Sequence, residues 1–184
     1  MNPAPLLRAL RFAAHQHRQQ RRKDVDETPY IKHPIEVAEV LASDGGVTDE
    51  VLLSAAVLHD TVEDTGTTLD DLRARFGDEV AGLVHEVTDD KSLPKAERKR
   101  LQVVHAATAS PRARQLKIAD KICNLRDITE APPDGWSIER RREYIAWSAA
   151  VVANCRGLNP ALEAAFDAER ARAEENLAAG APRS

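Results

Sequence analysis

Apolar residues recur along this chain at spacings of three and four, and no stretch alternates strictly, so the pattern predicts helices throughout. Leu6, Leu7, Leu10, Phe12, Ala13 and Ala14 mark a first helix, Leu6 to His17. It runs into a polar, basic loop, Gln19 to Thr28. Pro34 stands where the first position of a second helix is expected, with His33 at the cap, and the helix runs to about Ala42. Asp49 caps a third helix whose body, Val51 to Leu58, is apolar on nearly every side. Such a helix belongs in the middle of a bundle. Thr68 and Asp71 form a capping-box pair opening a short helix that ends at Phe76-Gly77. Val80, Leu83, Val84 and Val87 keep helical spacing over Asp78 to Thr88.

Pro94 to about Thr108 is charged and amphipathic. Ser110-Pro111 signals the start of a helix reaching Ile128. Pro132-Pro133-Asp134-Gly135 is a loop, Ser137 to Arg156 a long helix, and Asn159-Pro160 opens the last one. Asn176 to Ser184 is expected to fray. There are no internal repeats and no internal boundary, so residues 1–184 read as one all-α domain with its core over about 5–175.

Composition narrows the class without deciding function. Of 184 residues, 42% are hydrophobic and 30% charged, the balance of a soluble globular protein. A net charge of −4 gives no reason to expect nucleic acid or an anionic membrane as partner. No apolar run is long enough to span a bilayer and no secretory leader is evident, so the expected location is cytoplasmic. Cys123 and Cys155 lie in apolar helical patterns and are expected as reduced, buried thiols.

The chemistry-bearing residues fall in three separate helical segments: His33, then His59-Asp60 with Glu63 and Asp64 close behind, then Asp120. Imidazole with carboxylate suits a borderline-to-hard divalent metal, and spare acids beside it suit water activation. By itself His59 is equally well explained as a core histidine bonded to a neighbouring acid. The downstream acids shift the balance. If the helix continues one turn, Glu63 lies over His59 and Asp64 over Asp60. Three carboxylates crowded near one imidazole repel one another unless a cation intervenes. Lys117, Asp120 and Asn124 form a polar stripe on the Pro111 helix, readable as a solvated face or as part of a site. His17-Arg18-Gln19-Gln20-Arg21-Arg22-Lys23 concentrates positive charge. A solvated loop is the ordinary explanation; the alternative is a loop that meets a phosphorylated or aromatic ligand. Tyr30 tethers it beside His33, while Arg140 and Tyr144 share a helix face with Trp147 nearby. His15, His85 and His105 lack acidic company, and P-loop, dinucleotide-fold, CxxC and GxSxG signatures are absent.

The order His…His-Asp…Asp resembles the HD superfamily of metal-dependent phosphohydrolases. The strings His17 to Asp24, Thr28 to Pro34, Leu58 to Thr65 and Lys117 to Asp127 narrow the resemblance to the alarmone-hydrolase domain of RelA/SpoT proteins. Val87 to Lys91, Leu93-Pro94-Lys95 and Glu97 to Gln102 are similar to its stand-alone group, the metazoan SpoT homologue and bacterial small alarmone hydrolases. The resemblance covers roughly residues 5 to 175.

The resemblance implies an HD-domain bundle of about eight to ten helices holding one Mn²⁺. It implies hydrolysis of the 3′-diphosphate of (p)ppGpp to GDP or GTP and pyrophosphate, without an attached synthetase. It places His33, His59, Asp60 and Asp120 on the metal, and Glu63 and Asp64 on the attacking water. Arg22 and Lys23 would hold the purine and nearby phosphates, Tyr30 would border the pocket, and Asn124 would meet ribose or phosphate; Arg140 and Tyr144 would form the substrate rim. One departure is Cys123, where the family carries a larger residue, often tyrosine. Competing readings are the same site acting on (p)ppApp or on the 2′-phosphate of NADPH, and an inactive nucleotide-binding HD module. The last is disfavoured by the complete ligand set and the intact Glu63-Asp64 pair. Oligomeric state is not legible.

Overall fold

The computed structural model describes residues 2–179. Among them the chain forms ten helices and no strand: α1 Pro3–Gln16, α2 Lys32–Ser43, α3 Glu50–Leu58, α4 Thr61–Asp64, α5 Leu69–Phe76, α6 Asp78–Val87, α7 Lys95–Ala106, α8 Pro111–Glu130, α9 Ile138–Ala153 and α10 Pro160–Ala179. The all-α expectation holds. Helix starts follow short polar caps. Asp49 accepts the Val51 and Leu52 N–H groups, Ser110 accepts from Ala113, Ser137 from Arg140, and Thr68 and Asp71 form a reciprocal box. Each such cap stabilises its helix by ~1 kcal/mol.

Two helices organise the rest. In α3 every residue from Leu52 to Leu58 is buried, and the helix packs against α1, α2, α6 and α8. Helix α8 buries Leu116, Ile118, Ala119, Ile122, Cys123 and Leu125 and packs against α2, α10 and α9. Each fully buried leucine or isoleucine contributes about 1.5–3 kcal/mol, so this shared core fixes how α2, α3 and α8 face one another. The polar residues of all three meet at one end of that interface. Both cysteines are buried thiols, as expected.

The joints are specific. A Cβ on Gly45 would sit 2.8 Å from the Leu41 carbonyl oxygen, so only glycine fits where α2 turns toward α3. The Gly45 carbonyl accepts a hydrogen bond from Asn159 Nδ2 at 2.9 Å, which ties that turn to the start of α10.

Three expectations change in detail, and one left open is decided. His33 is the second residue of α2 rather than its cap; Ile31 occupies the cap position with helical backbone angles, so the helix begins one residue before His33. Helix α3 ends at Leu58, where its apolar run ends, and the further turn left open in the sequence does not continue it: a separate short turn of helix follows from Thr61. The Thr61 hydroxyl donates to the Leu58 carbonyl at 2.7 Å and covers a carbonyl that the continuing helix would have used. Helix α9 stops at Ala153 rather than Arg156. Finally, α10 continues to Ala179 with Ala173 and Leu177 buried, so the segment expected to fray is helical over 176–179. Residues 180–184 lie outside the described residues.

Candidate active site

The break after α3 aims the site. His59 caps α3, and its Nδ1 lies 2.7 Å from the Ala56 carbonyl oxygen. A carbonyl only accepts, so Nδ1 carries the proton and a neutral imidazole has its lone pair on Nε2. That lone pair faces carboxylates: Asp60 Oδ2 at 3.2 Å and Asp120 Oδ1 at 3.9 Å. From α2, His33 Nε2 stands 3.2 Å from Asp120 Oδ1 and 3.9 Å from Asp60 Oδ2. Ligand atoms of His33, His59 and Asp60 all lie within 4.8 Å of one another. The four residues expected on a metal therefore converge, although they come from α2, the α3–α4 turn and α8.

The electrostatics call for a cation. Burial pulls the His59 imidazole down, and the Asp60 and Asp120 carboxylates more than reverse this, leaving it at about 9. Burial also holds His33 below its usual value, against the pull of Asp120. Partial burial pushes the Asp120 carboxyl up, but Lys121 and His33 drive it well below the ordinary range. Five carboxylates face three lysine and arginine side chains around this cavity, an excess of negative charge that holds a proton on His59 and that a divalent ion would offset in the proton's place. Two imidazole and two carboxylate donors, small separations and buried lone pairs facing acids all fit such an ion.

The acid pair beside the donors splits. Glu63 Oε2 accepts the Asp89 N–H at 3.1 Å, and Oε1 lies 3.9 Å from both Lys91 Nζ and Arg98 Nη1. Burial raises its carboxyl above the usual range, assisted by Asp89 and Asp60 against the hydrogen bond from the Asp89 N–H. Asp64 instead pairs with Lys91 and accepts from Gln20 Nε2 at 3.2 Å. The expected stacking of Glu63 over His59 and Asp64 over Asp60 is loosened because the helix breaks between them. Tyr30 donates its hydroxyl to Asp60, and Asn124 Nδ2 donates to Asp120 Oδ1 at 2.7 Å.

Two cavities adjoin beside the cluster, sharing Arg22, Tyr30, Asp64, Asn124 and Tyr144. One, of about 210 Å³, contains the donors with Glu63, Lys117 and Lys121. The other, of about 400 Å³, is lined by Arg22, Lys23, Tyr30, Asn124, Trp136 and Tyr144 among others. Its basic loop is built rather than loose. The Arg22 N–H donates to the Thr28 carbonyl at 2.8 Å, its guanidinium pairs with Asp127 and lies 5.6 Å from the Tyr30 ring centre. The Lys23 carbonyl accepts the Asp134 N–H at 2.9 Å, joining this loop to the Pro132–Gly135 loop. Arg140 reaches neither cavity directly; it sits 4.3 Å over Trp136, which does line the larger one. Sequence reasoning passed over Asp127 and Lys121 as functional residues. Both stand in the same Lys117 to Asp127 string as Asp120, which was the available signal.

Residues 9–157 match the HD domain family. Guanosine-3′,5′-bis(diphosphate) 3′-pyrophosphohydrolase MESH1 of Homo sapiens is 57% identical over 163 residues, covering 89% of this chain and 91% of that protein. The Drosophila melanogaster protein of the same name is 52% identical over 164 residues, covering 89% and 92%. A solved structure described as "A metazoan ortholog of SpoT hydrolyzes ppGpp and plays a role in starvation responses" superposes with a TM-score of 0.89 at 50% identity, covering 92% of this chain and 95% of that one. A crystal structure from Listeria monocytogenes EGD-e gives a TM-score of 0.65 at 32% identity, covering 79% and 99%. The chain belongs to the HD domain family. No helix among the described residues is long and apolar enough to cross a membrane.

Proposed function

We propose that this HD-family chain hydrolyses the 3′-diphosphate ester of guanosine-3′,5′-bis(diphosphate), releasing pyrophosphate and leaving GDP, or GTP from the pentaphosphate. The observation that carries the reading is the junction of the two cavities. A divalent-ion donor set stands beside a pocket whose walls combine guanidinium, ammonium and aromatic rings. Support also comes from the activity named for the MESH1 relatives. His33, His59, Asp60 and Asp120 hold one Mn²⁺, an ion that mixed imidazole and carboxylate donors suit. When bound, it supplies positive charge against the phosphoryl oxygens and acidifies water.

The chain's own groups do the rest. Glu63, with its carboxyl raised by burial, takes the proton of the attacking water. Asp64, fixed by Lys91 and Gln20, orients that water. The water oxygen bonds to the phosphorus on the ribose 3′ oxygen; that P–O bond breaks, and the 3′ oxygen leaves with the electron pair and gains a proton. Arg22 offers its guanidinium face to the purine and Lys23 its charge to the phosphates. Tyr30 and Tyr144 border the base and sugar, Asn124 reaches ribose or phosphate, and Arg140 acts through Trp136 at the rim. The substrate is a small molecule.

A turnover panel tests this. Purified protein with Mn²⁺ is given ppGpp, ppApp and NADPH, and pyrophosphate and phosphate release are measured separately. The expected result is pyrophosphate from ppGpp at the highest kcat/KM. Turnover of NADPH or ppApp without ppGpp would replace the substrate, and turnover of none would make the chain a binding module.

A further inference from the structure

A charged group stands in the metal-side cavity outside every role assigned above. Lys117 lies on α8 one turn before Asp120 and is only 7% exposed. Of the three cationic side chains lining that cavity, Arg22 is paired with Asp127 and Lys121 with Asp120. Lys117 makes no ion pair and no hydrogen bond among the described residues, yet it borders the open space. Lys121 is further occupied by the Trp147 ring, 4.4 Å from its ammonium. A largely buried lysine whose ammonium meets only the cavity space is poorly compensated by the protein, and an anionic ligand there offsets that cost.

The cavity linings fix the order of the parts. The nucleotide pocket and the metal-side cavity share Arg22, Tyr30, Asp64, Asn124 and Tyr144. The metal-side cavity in turn shares Val87, Asp89, Gln102 and Lys117 with a third cavity of about 140 Å³, beside Arg98 and His105. No residue lines both outer cavities. The donor set therefore stands between the basic loop and Lys117. A phosphate ester entering from the nucleotide pocket would present its first phosphorus at the donors, and a group beyond that phosphorus would extend toward Lys117.

We propose that Lys117 forms the subsite for the distal phosphoryl group of a diphosphate ester, and so sets the preference for diphosphate over monophosphate. Three ammonium donors on a compact charge suit the terminal phosphoryl oxygens. A monophosphate ends at the donor set and leaves Lys117 untouched. Burial, and then the neighbouring Lys121, push the Lys117 ammonium pKa down against the opposing pull of Asp89 and Asp120, and an anion at this position would favour the charged form. The inference deepens the diphosphatase reading and rests on it for the identity of the ester, but it can be tested without any nucleotide.

The probes are inorganic pyrophosphate and inorganic phosphate, titrated calorimetrically into the Mn²⁺-loaded protein in Mn²⁺-containing buffer. Parent, Lys117→Met, Lys117→Gln and Lys117→Arg are compared, with Mn²⁺ content and melting temperature of each. In the Met and Gln variants, pyrophosphate affinity should fall by roughly 10–100-fold, as for loss of a charge-assisted contact. Phosphate affinity should move by less than about twofold. Lys117→Arg should recover part of the preference, since it keeps the charge. Equal weakening of both anions, unchanged pyrophosphate binding, or loss of Mn²⁺ would overturn the subsite. If the parent binds pyrophosphate through Lys117 but turns over no ppGpp, the nucleotide assignment fails alone. If ppGpp turns over and Lys117→Met is silent, the subsite fails alone.

Discussion

Glu63→Gln separates water activation from metal holding. The substitution keeps side-chain volume and retains an oxygen to accept the Asp89 N–H now bonded at 3.1 Å. Its cost in stability should stay below about 1 kcal/mol, because the lost charge has only two cations near it, both at 3.9 Å. The effect on rate is larger. A positioned general base contributes ~10²–10⁴-fold, so kcat should fall by that factor, equivalent to roughly 3–5 kcal/mol of barrier. KM and Mn²⁺ stoichiometry should hold, the signature of an interaction made only in the transition state. The pH profile gives a second readout. Burial first, then Asp89 and Asp60, raise the Glu63 carboxyl above its ordinary 4.5. The base works ionised, so kcat in the parent falls as pH drops through that raised value, and the limb disappears in the variant. Steady-state kinetics across pH, with metal analysis of the same preparations, measures both. Loss of Mn²⁺ would make Glu63 a ligand; a kcat loss under about tenfold with the acid limb intact would refute its role as base. Asp64→Asn should cost less, since Lys91 and Gln20 fix Asp64 as an orienting group.

Removing His59 or Asp60 should abolish the thermal response to Mn²⁺. At a hundredfold excess over Kd, binding to the folded state adds about 2.7 kcal/mol, or roughly 5–10 °C for a chain of this size. His59→Ala and Asp60→Asn should show no shift in scanning fluorimetry, and a variant that keeps the shift is not a ligand. In the chelated protein, His59 titrates near 9 folded against 6.5 unfolded. Its contribution is therefore full below about 6.5 and is lost as pH rises to about 9. Urea unfolding between those limits should show stability falling with pH, and Mn²⁺ uptake should release protons; stability that rises over this range contradicts the assignment. Asp127→Ala should raise KM for the nucleotide much as Arg22→Ala does, because Asp127 holds the Arg22 guanidinium. The double variant should be little worse than either single one, and full additivity would mean the pair is not a unit.

The helices were legible because their signals are local. Ser110-Pro111, the Thr68–Asp71 box and the Asp49 cap each satisfy backbone groups within a few residues, so the sequence carries the whole cause. The end of α3 at Leu58 was legible in its apolar run, and Thr61 bonds back to it locally. Where Asp60 points beyond it was not: it meets His33 and Tyr30, both about thirty residues earlier, and a local pattern holds no trace of them. The α2 start fails for a related reason: Lys32 accepts helical geometry as readily as Pro34 does, and the Pro29-Tyr30 turn decides the boundary.

The stripe on α8 shows the limit most clearly. Lys117, Asp120 and Asn124 recur at helical spacing, and water or a polar cavity would select the same residue types there. What settles it arrives later in the chain, when Tyr144 and Trp147 on α9 close over the stripe and line the same cavity. Lys121 then becomes readable. It falls one residue round the helix from Asp120, on the apolar side of the stripe, and is 4% exposed. It is tolerable there only because Asp120 Oδ2 lies 2.8 Å from its ammonium and Trp147 covers it. Lys117 has the same burial and neither partner. Two lysines one turn apart on one buried face, one satisfied by protein and one not, mark where the protein's own charges stop and the ligand's must begin.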